Sequence, residues 1–127
     1  PLTEHYVAGL FDYRGQPVPV IDLCARFQQR PCRQCMSTRL ILVGFSARSE
    51  DTVRTLGLIA EGVTETTQCS ENQLRDPGMT VERARFLGKV FSDEKGIVQL
   101  VSVDDLIGPE VTRALYGECH GTPECAV

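Results

Sequence analysis

Two prolines two residues apart restrict what the segment around them can become. Residues 7–23 read Val-Ala-Gly-Leu-Phe-Asp-Tyr-Arg-Gly-Gln-Pro-Val-Pro-Val-Ile-Asp-Leu. In an extended chain, residues i and i+2 aim their backbone groups at the same edge. Pro17 and Pro19 therefore remove two donors from one edge and none from the other. Val18, Val20 and Asp22 are expected to keep a ladder to a partner strand, and the proline edge is expected to be unpaired or bulged. The β-branched, aromatic and aliphatic content predicts strands over 8–13 and 17–23. Arg14, Gly15 and Gln16 form the turn between them, where Gly15 can take φ > 0. Arg14 then stands at the hairpin tip with its guanidinium free to meet a partner.

At 127 residues the chain suits one domain and can bury a core without disulfides or metal. A net charge of −4 and the lack of Trp argue against nucleic acid or an anionic membrane as the main partner. No apolar run approaches the ~18 residues a membrane-spanning helix needs. Six cysteines stand at 24, 32, 35, 69, 119 and 125. An even count invites a disulfide framework. The apolar core and the lack of a secretion signal favour reduced thiols in a cytoplasmic protein.

Further along, residues 23–29 predict one or two helical turns, with Leu23 and Phe27 sharing a face. Residues 30–38 read as a polar loop and 39–45 as a continuous apolar strand. Residues 55–61 form another strand, and 63–69 are expected to continue it past a bend at Gly62. Residues 70–82 read as a long loop. Residues 85–91, with a bulge at Gly88, and 97–101 make a second hairpin around a turn at 93–96. Ser102 is expected to cap a short helix through Leu106. Gly108, Pro109 and Glu110 open a second helix that Gly117 ends. Residues 118–127 are expected to be a mobile tail. Six strands, short helices and no βαβ alternation predict a small mostly-β fold, barrel or sandwich.

The segment from Gly9 to Leu23 resembles the signature of CheW-type adaptor domains from bacterial chemotaxis. Their usual form is Gly-(aliphatic)-(aliphatic)-Asn-(aliphatic)-Arg-Gly-x-(aliphatic)-(aliphatic)-Pro-(aliphatic)-(aliphatic)-Asp-Leu. Asp12, Tyr13 and Pro17 depart from it. Residues 57–65, 86–90 and 96–106 resemble later family segments, with Glu61 at a usual Asp, and the resemblance spans residues 6–116. It implies a single CheW-like domain over 1–127, built as two small SH3-like β-barrels with short helices. It also implies that the family's first two strands, ahead of the central hairpin, are missing, so the domain is expected to be N-terminally incomplete. An open sheet edge is then expected to pair copies into a homodimer, with the apolar strand around 40–43 a candidate for the open surface.

The same resemblance implies a non-enzymatic adaptor that couples a chemoreceptor, a methyl-accepting chemotaxis protein, to a CheA-type histidine kinase, without cofactor or metal. Within the family the chain is particularly similar to WspB-like couplers of surface-sensing systems. Partner binding is expected to involve Gly9, Tyr13, Arg14, Gly15 and Val63. Arg14 is the sharpest of these, since Arg is enriched at interface hot spots, although a solvated turn charge is the ordinary role of such a residue. The alternative reading is a metal- or redox-sensing domain using Cys32 and Cys35. A zinc site needs about four ligands, and the spacing of Cys119, His120 and Cys125 fits no standard second half. No Gly-x-Ser-x-Gly and no phosphate loop occurs. Asp12 and Asp22 read as turn and strand-end groups, not as an acid/base pair.

Overall fold

The computed structural model describes residues 4–47, 51–78 and 85–117. They fall into two compact units, one within Pro1–Thr64 and Ile107–Val127, the other spanning Glu65–Leu106.

The first unit is a four-stranded sheet with short helices. The central hairpin forms as β1 (Val7–Tyr13) and β2 (Gln16–Asp22), followed by α1 (Leu23–Gln28). Strands β3 (Arg39–Phe45) and β4 (Arg54–Ala60) complete the sheet in the order β1-β2-β4-β3. The two proline positions behave as their chemistry requires. Pro17 and Pro19 pair with Asp12 and Leu10 of β1, while the ladder to β4 begins only at Val20. On the β4 side both prolines therefore lie beyond the ladder.

The pairing of β2 with β4 is parallel, over Val20↔Gly57, Ile21↔Leu58 and Asp22↔Ile59. Sequence patterning gave no sign of this, because β3 intervenes in the chain and pairs antiparallel on the far side of β4. As the inner strands, β2 and β4 supply most of the core. Val18, Pro19, Val20 and Ile21 of β2 and Leu56, Gly57 and Leu58 of β4 are buried. Helix α2 (Pro109–Tyr116) has Pro109 in its first turn and ends on Gly117 at φ 75°. The Tyr116 hydroxyl donates to the Thr55 carbonyl at 2.9 Å, and its ring stacks on buried Phe45 with centroids 6.0 Å apart.

The second unit is a two-stranded antiparallel sheet of β5 (Leu87–Asp93) and β6 (Gly96–Val101). Its register slips between Leu87 and Val90, around the glycine expected to form a bulge. Arg75 adds an isolated bridge to Val90. Among the described residues, Phe86, Phe91 and Leu106 are the buried apolar residues of this unit.

Two local expectations fail. Residues 63–69 do not extend β4. Gly62 sits at φ +66° and turns the chain, and the Val63 amide then donates to the Ser37 carbonyl at 2.9 Å instead of to a strand. The short helix expected through Leu106 forms as a 3-10 helix, Val103–Asp105, with Leu106 at its C-terminal end, but the Ser102 hydroxyl donates to the Asp105 carboxylate instead of capping an amide. The tail expected over 118–127 and residues 79–82 of the long loop lie outside the described residues.

Candidate adaptor surface

The tip of the first hairpin follows from its turn chemistry. Arg14 and Gly15 both have positive φ, 53° and 82°. A two-residue loop with both central residues left-handed is the type I′ turn, whose twist matches that of the flanking strands. Glycine takes this conformation freely, whereas Arg14 is strained in it. The Asp12 carboxylate accepts from the Gly15 amide at 2.8 Å and ties the turn down. That gives Asp12 a turn-stabilising part, as the residue pattern predicted.

The turn leaves Arg14 exposed, with its guanidinium carbon 5.1 Å from the centroid of the Tyr13 ring. Tyr13 is 37% exposed, so the pair presents an aromatic face and a cation together. Such a pair suits a protein partner offering carboxylates beside apolar surface. Tyr13, Arg14 and Gly15 are thus contiguous at one end of the hairpin.

The other two expected partner-binding residues lie elsewhere. Gly9 is further back on β1, at φ +144°, where the register with β2 slips. Val63 follows β4, and because β4 runs parallel to β2, that end of the sheet is the one away from the hairpin tip. The structure groups three of the five residues and separates Gly9 and Val63 from them.

At that opposite end lies a polar cluster that sequence reasoning missed. Asp22 ends β2, is 8% exposed, and caps α1 by accepting from the Ala25 amide at 3.0 Å. Its second oxygen accepts from the Cys32 amide at 2.9 Å. Burial alone would raise the Asp22 carboxyl, but these amide donors outweigh it and hold the group below its ordinary value. Arg30 forms a two-pronged pair with Glu61, at 2.7 and 3.0 Å, and the Arg33 amide donates to the same carboxylate at 2.7 Å. The Arg30 bond, followed by the Arg33 amide, lowers the Glu61 carboxyl to about 2. The partners stand 31 residues apart, and no short motif links them.

Cys32 and Cys35, the pair of the alternative reading, face different partners. Cys35 is exposed and faces the hydroxyls of Thr38 and Ser37 at 3.3 and 3.6 Å. Cys32 meets Cys24 instead, sulfur to sulfur at 3.0 Å. The His5 ring contacts the Ala25 carbonyl at 3.1 Å, so that nitrogen is a donor and not a base aimed at a thiol.

Comparison with known proteins places this geometry. The family model described as CheW-like domain matches residues 1–110. The crystal structure of the scaffolding protein TtCheW from Thermoanaerobacter tengcongensis superposes with a TM-score of 0.68 at 24% identity, covering 85% of this chain and 67% of that one. No curated protein matches the chain in sequence. Among the described residues, no helix is long and apolar enough to cross a membrane.

Proposed function

Because the chain belongs to the CheW-like domain family, we propose that it is a non-enzymatic signalling adaptor that couples a chemoreceptor to a CheA-type histidine kinase. The observation that carries this is the family match over residues 1–110. The likeness to a scaffolding protein supports the fold that the role needs. Coupling of this kind is geometric: one face docks receptor helices, another docks the kinase, and signalling alters packing without making a bond. Such a protein works in the cytoplasm, where the signalling ends of receptors and kinases meet. Sequence resemblance further favours a surface-sensing coupler of the WspB-like kind.

The hairpin tip is the receptor-facing anchor in this reading, with Arg14 and Tyr13 making the contact and Gly15 shaping the turn. Gly9 and Val63 then contribute at separate contacts, since they do not share the tip. The test is a titration of the chain with a receptor signalling tip and, separately, with the regulatory domain of a CheA-type kinase. Binding of both partners is expected. Arg14→Glu should weaken the receptor arm by about 2 kcal/mol or more and leave the kinase arm unchanged. Failure to bind either partner would overturn the adaptor reading. Equal receptor affinity for wild type and variant would remove Arg14 from it.

A further inference from the structure

The cluster at the β2–α1 junction brings together three side chains that lie outside the partner contacts proposed above. Ligand atoms of Asp22, Cys24 and Cys32 all lie within 4.8 Å of one another. They come from three successive pieces of chain: the end of β2, the first turn of α1 and the loop after it. The loop is drawn back by the Cys32 amide, which donates to Asp22, so one ligand positions the backbone of another. Cys24 and Asp22 are buried, while Cys32 is half-buried and leaves one side open.

We propose that Asp22, Cys24 and Cys32 form a zinc-binding site whose fourth position is open to water or to a ligand from a partner. The donor set selects the ion. Two thiolates exclude magnesium and calcium, which take oxygen ligands, and a carboxylate beside them suits a borderline cation such as Zn²⁺. The geometry accommodates it. Tetrahedral coordination at Zn–S distances near 2.3 Å places two sulfurs roughly 3.8 Å apart. The Cys24–Cys32 separation of 3.0 Å must therefore open by about 0.8 Å, and the half-exposed loop carrying Cys32 gives room for that.

The Asp22 carboxylate has about four lone-pair sites; the Cys32, Ala25 and Cys24 amides take three, and the one that accepts from the Cys32 thiol is freed for the metal when that thiol gives up its proton. Binding releases the two thiol protons to solvent and leaves a site of formal charge −1 around the ion. The Arg30 guanidinium interacts electrostatically with both Cys24 and Cys32, but it is paired with Glu61, whose carboxylate also bonds Cys24, so the ion pair beside the site adds no net charge to it. Zinc would tie residues 29–38 to the end of the sheet, a constraint independent of the hairpin tip.

The experiment uses the full 127-residue chain, reduced and stripped of metal, titrated with Zn²⁺ alone and separately with Co²⁺. One equivalent should bind, the cobalt form should show thiolate charge-transfer absorption, and zinc should protect Cys24 and Cys32 from alkylation while Cys35 still reacts. Cys24→Ser and Cys32→Ser should each weaken binding by about tenfold or more, and Cys35→Ser should bind like wild type. If zinc fails to protect Cys24 and Cys32 in the wild-type chain, the site is overturned, with no dependence on any variant folding. Loss of binding in Cys35→Ser with retention in Cys24→Ser would also overturn it. So would a reduced chain that takes no zinc but closes a Cys24–Cys32 disulfide under peroxide, which would make the pair a redox element instead.

Discussion

Asp22 carries more of the fold than its short side chain suggests. It closes β2, caps α1 and fixes the following loop through the Cys32 amide. Asp22→Ala takes the acceptor from the Ala25, Cys32 and Cys24 amides, so a loss of about 2 kcal/mol or more is expected in denaturant unfolding. The pH dependence has a defined sign. The Asp22 carboxyl is held below its ordinary 3.8, so its contribution is complete above that value and fades as pH falls through the lower folded value. Glu61 acts in the same sense, its contribution beginning to fade below 4.5 and gone once pH passes below about 2. Acid unfolding should therefore shift to higher pH in Glu61→Gln, as followed by circular dichroism. An unshifted acid transition would mean that the Arg30–Glu61 pair adds nothing to stability. Its partial exposure, 37% and 23%, and salt screening limit the size of that shift.

Between elements, Gly57 is the described glycine with the least room for a side chain. It stands in β4 between Val20 of β2 and Leu42 of β3. A Cβ at this position would come within 3.1 Å of Val20 Cγ2 and of Leu40 Cδ1. Both neighbours are branched side chains, so the strands must shift to admit it. Gly57→Ala should cost about 1–3 kcal/mol in thermal or denaturant unfolding. A cost below ~0.5 kcal/mol would mean that Leu40, which is 39% exposed, simply swings aside. At the β1–β2 turn, Gly15 sits at φ +82° with open space around it. Gly15→Ala meets no clash, and its expected cost of about 1 kcal/mol is backbone strain alone.

For the whole molecule, the described sheet ends in β1 on one side and β3 on the other. Both strands show apolar side chains. Leu10 is 69% exposed and Phe11 39%, with Leu40 and Ile41 at 39% and 36%. Outer strands with unpaired backbone groups and apolar side chains recruit other strands. The 127-residue chain should therefore associate into homodimers, and light scattering over a concentration series should show the mass rising toward twice 14.0 kDa. A mass that stays monomeric at the highest concentration, with cooperative unfolding, would show that neither strand acts as an interface. Leu10→Lys at the β1 edge should lower the association if that edge is the one used.

What the sequence determined by itself is what short-range chemistry controls. Alternating and β-branched runs marked six strands within a residue or two of where they form. Arg14-Gly15 marked the hairpin turn, Pro109 and Gly117 the ends of α2, and the proline pair the side of β2 where the ladder stops. The placing of Tyr13, Arg14 and Gly15 together at the hairpin tip was legible for the same reason. Long-range placement was not. The β2–β4 pairing joins residues such as Val20 and Gly57, and many registers would satisfy two buried apolar strands equally well. The Arg30–Glu61 pair depends on that same register, because it brings the end of β4 beside the loop after α1. Only the alternative metal or redox reading grouped Cys32 with Cys35, on their closeness in sequence. Cys32 lies against Cys24 because a capping carboxylate at the end of β2 takes its amide and folds the loop back.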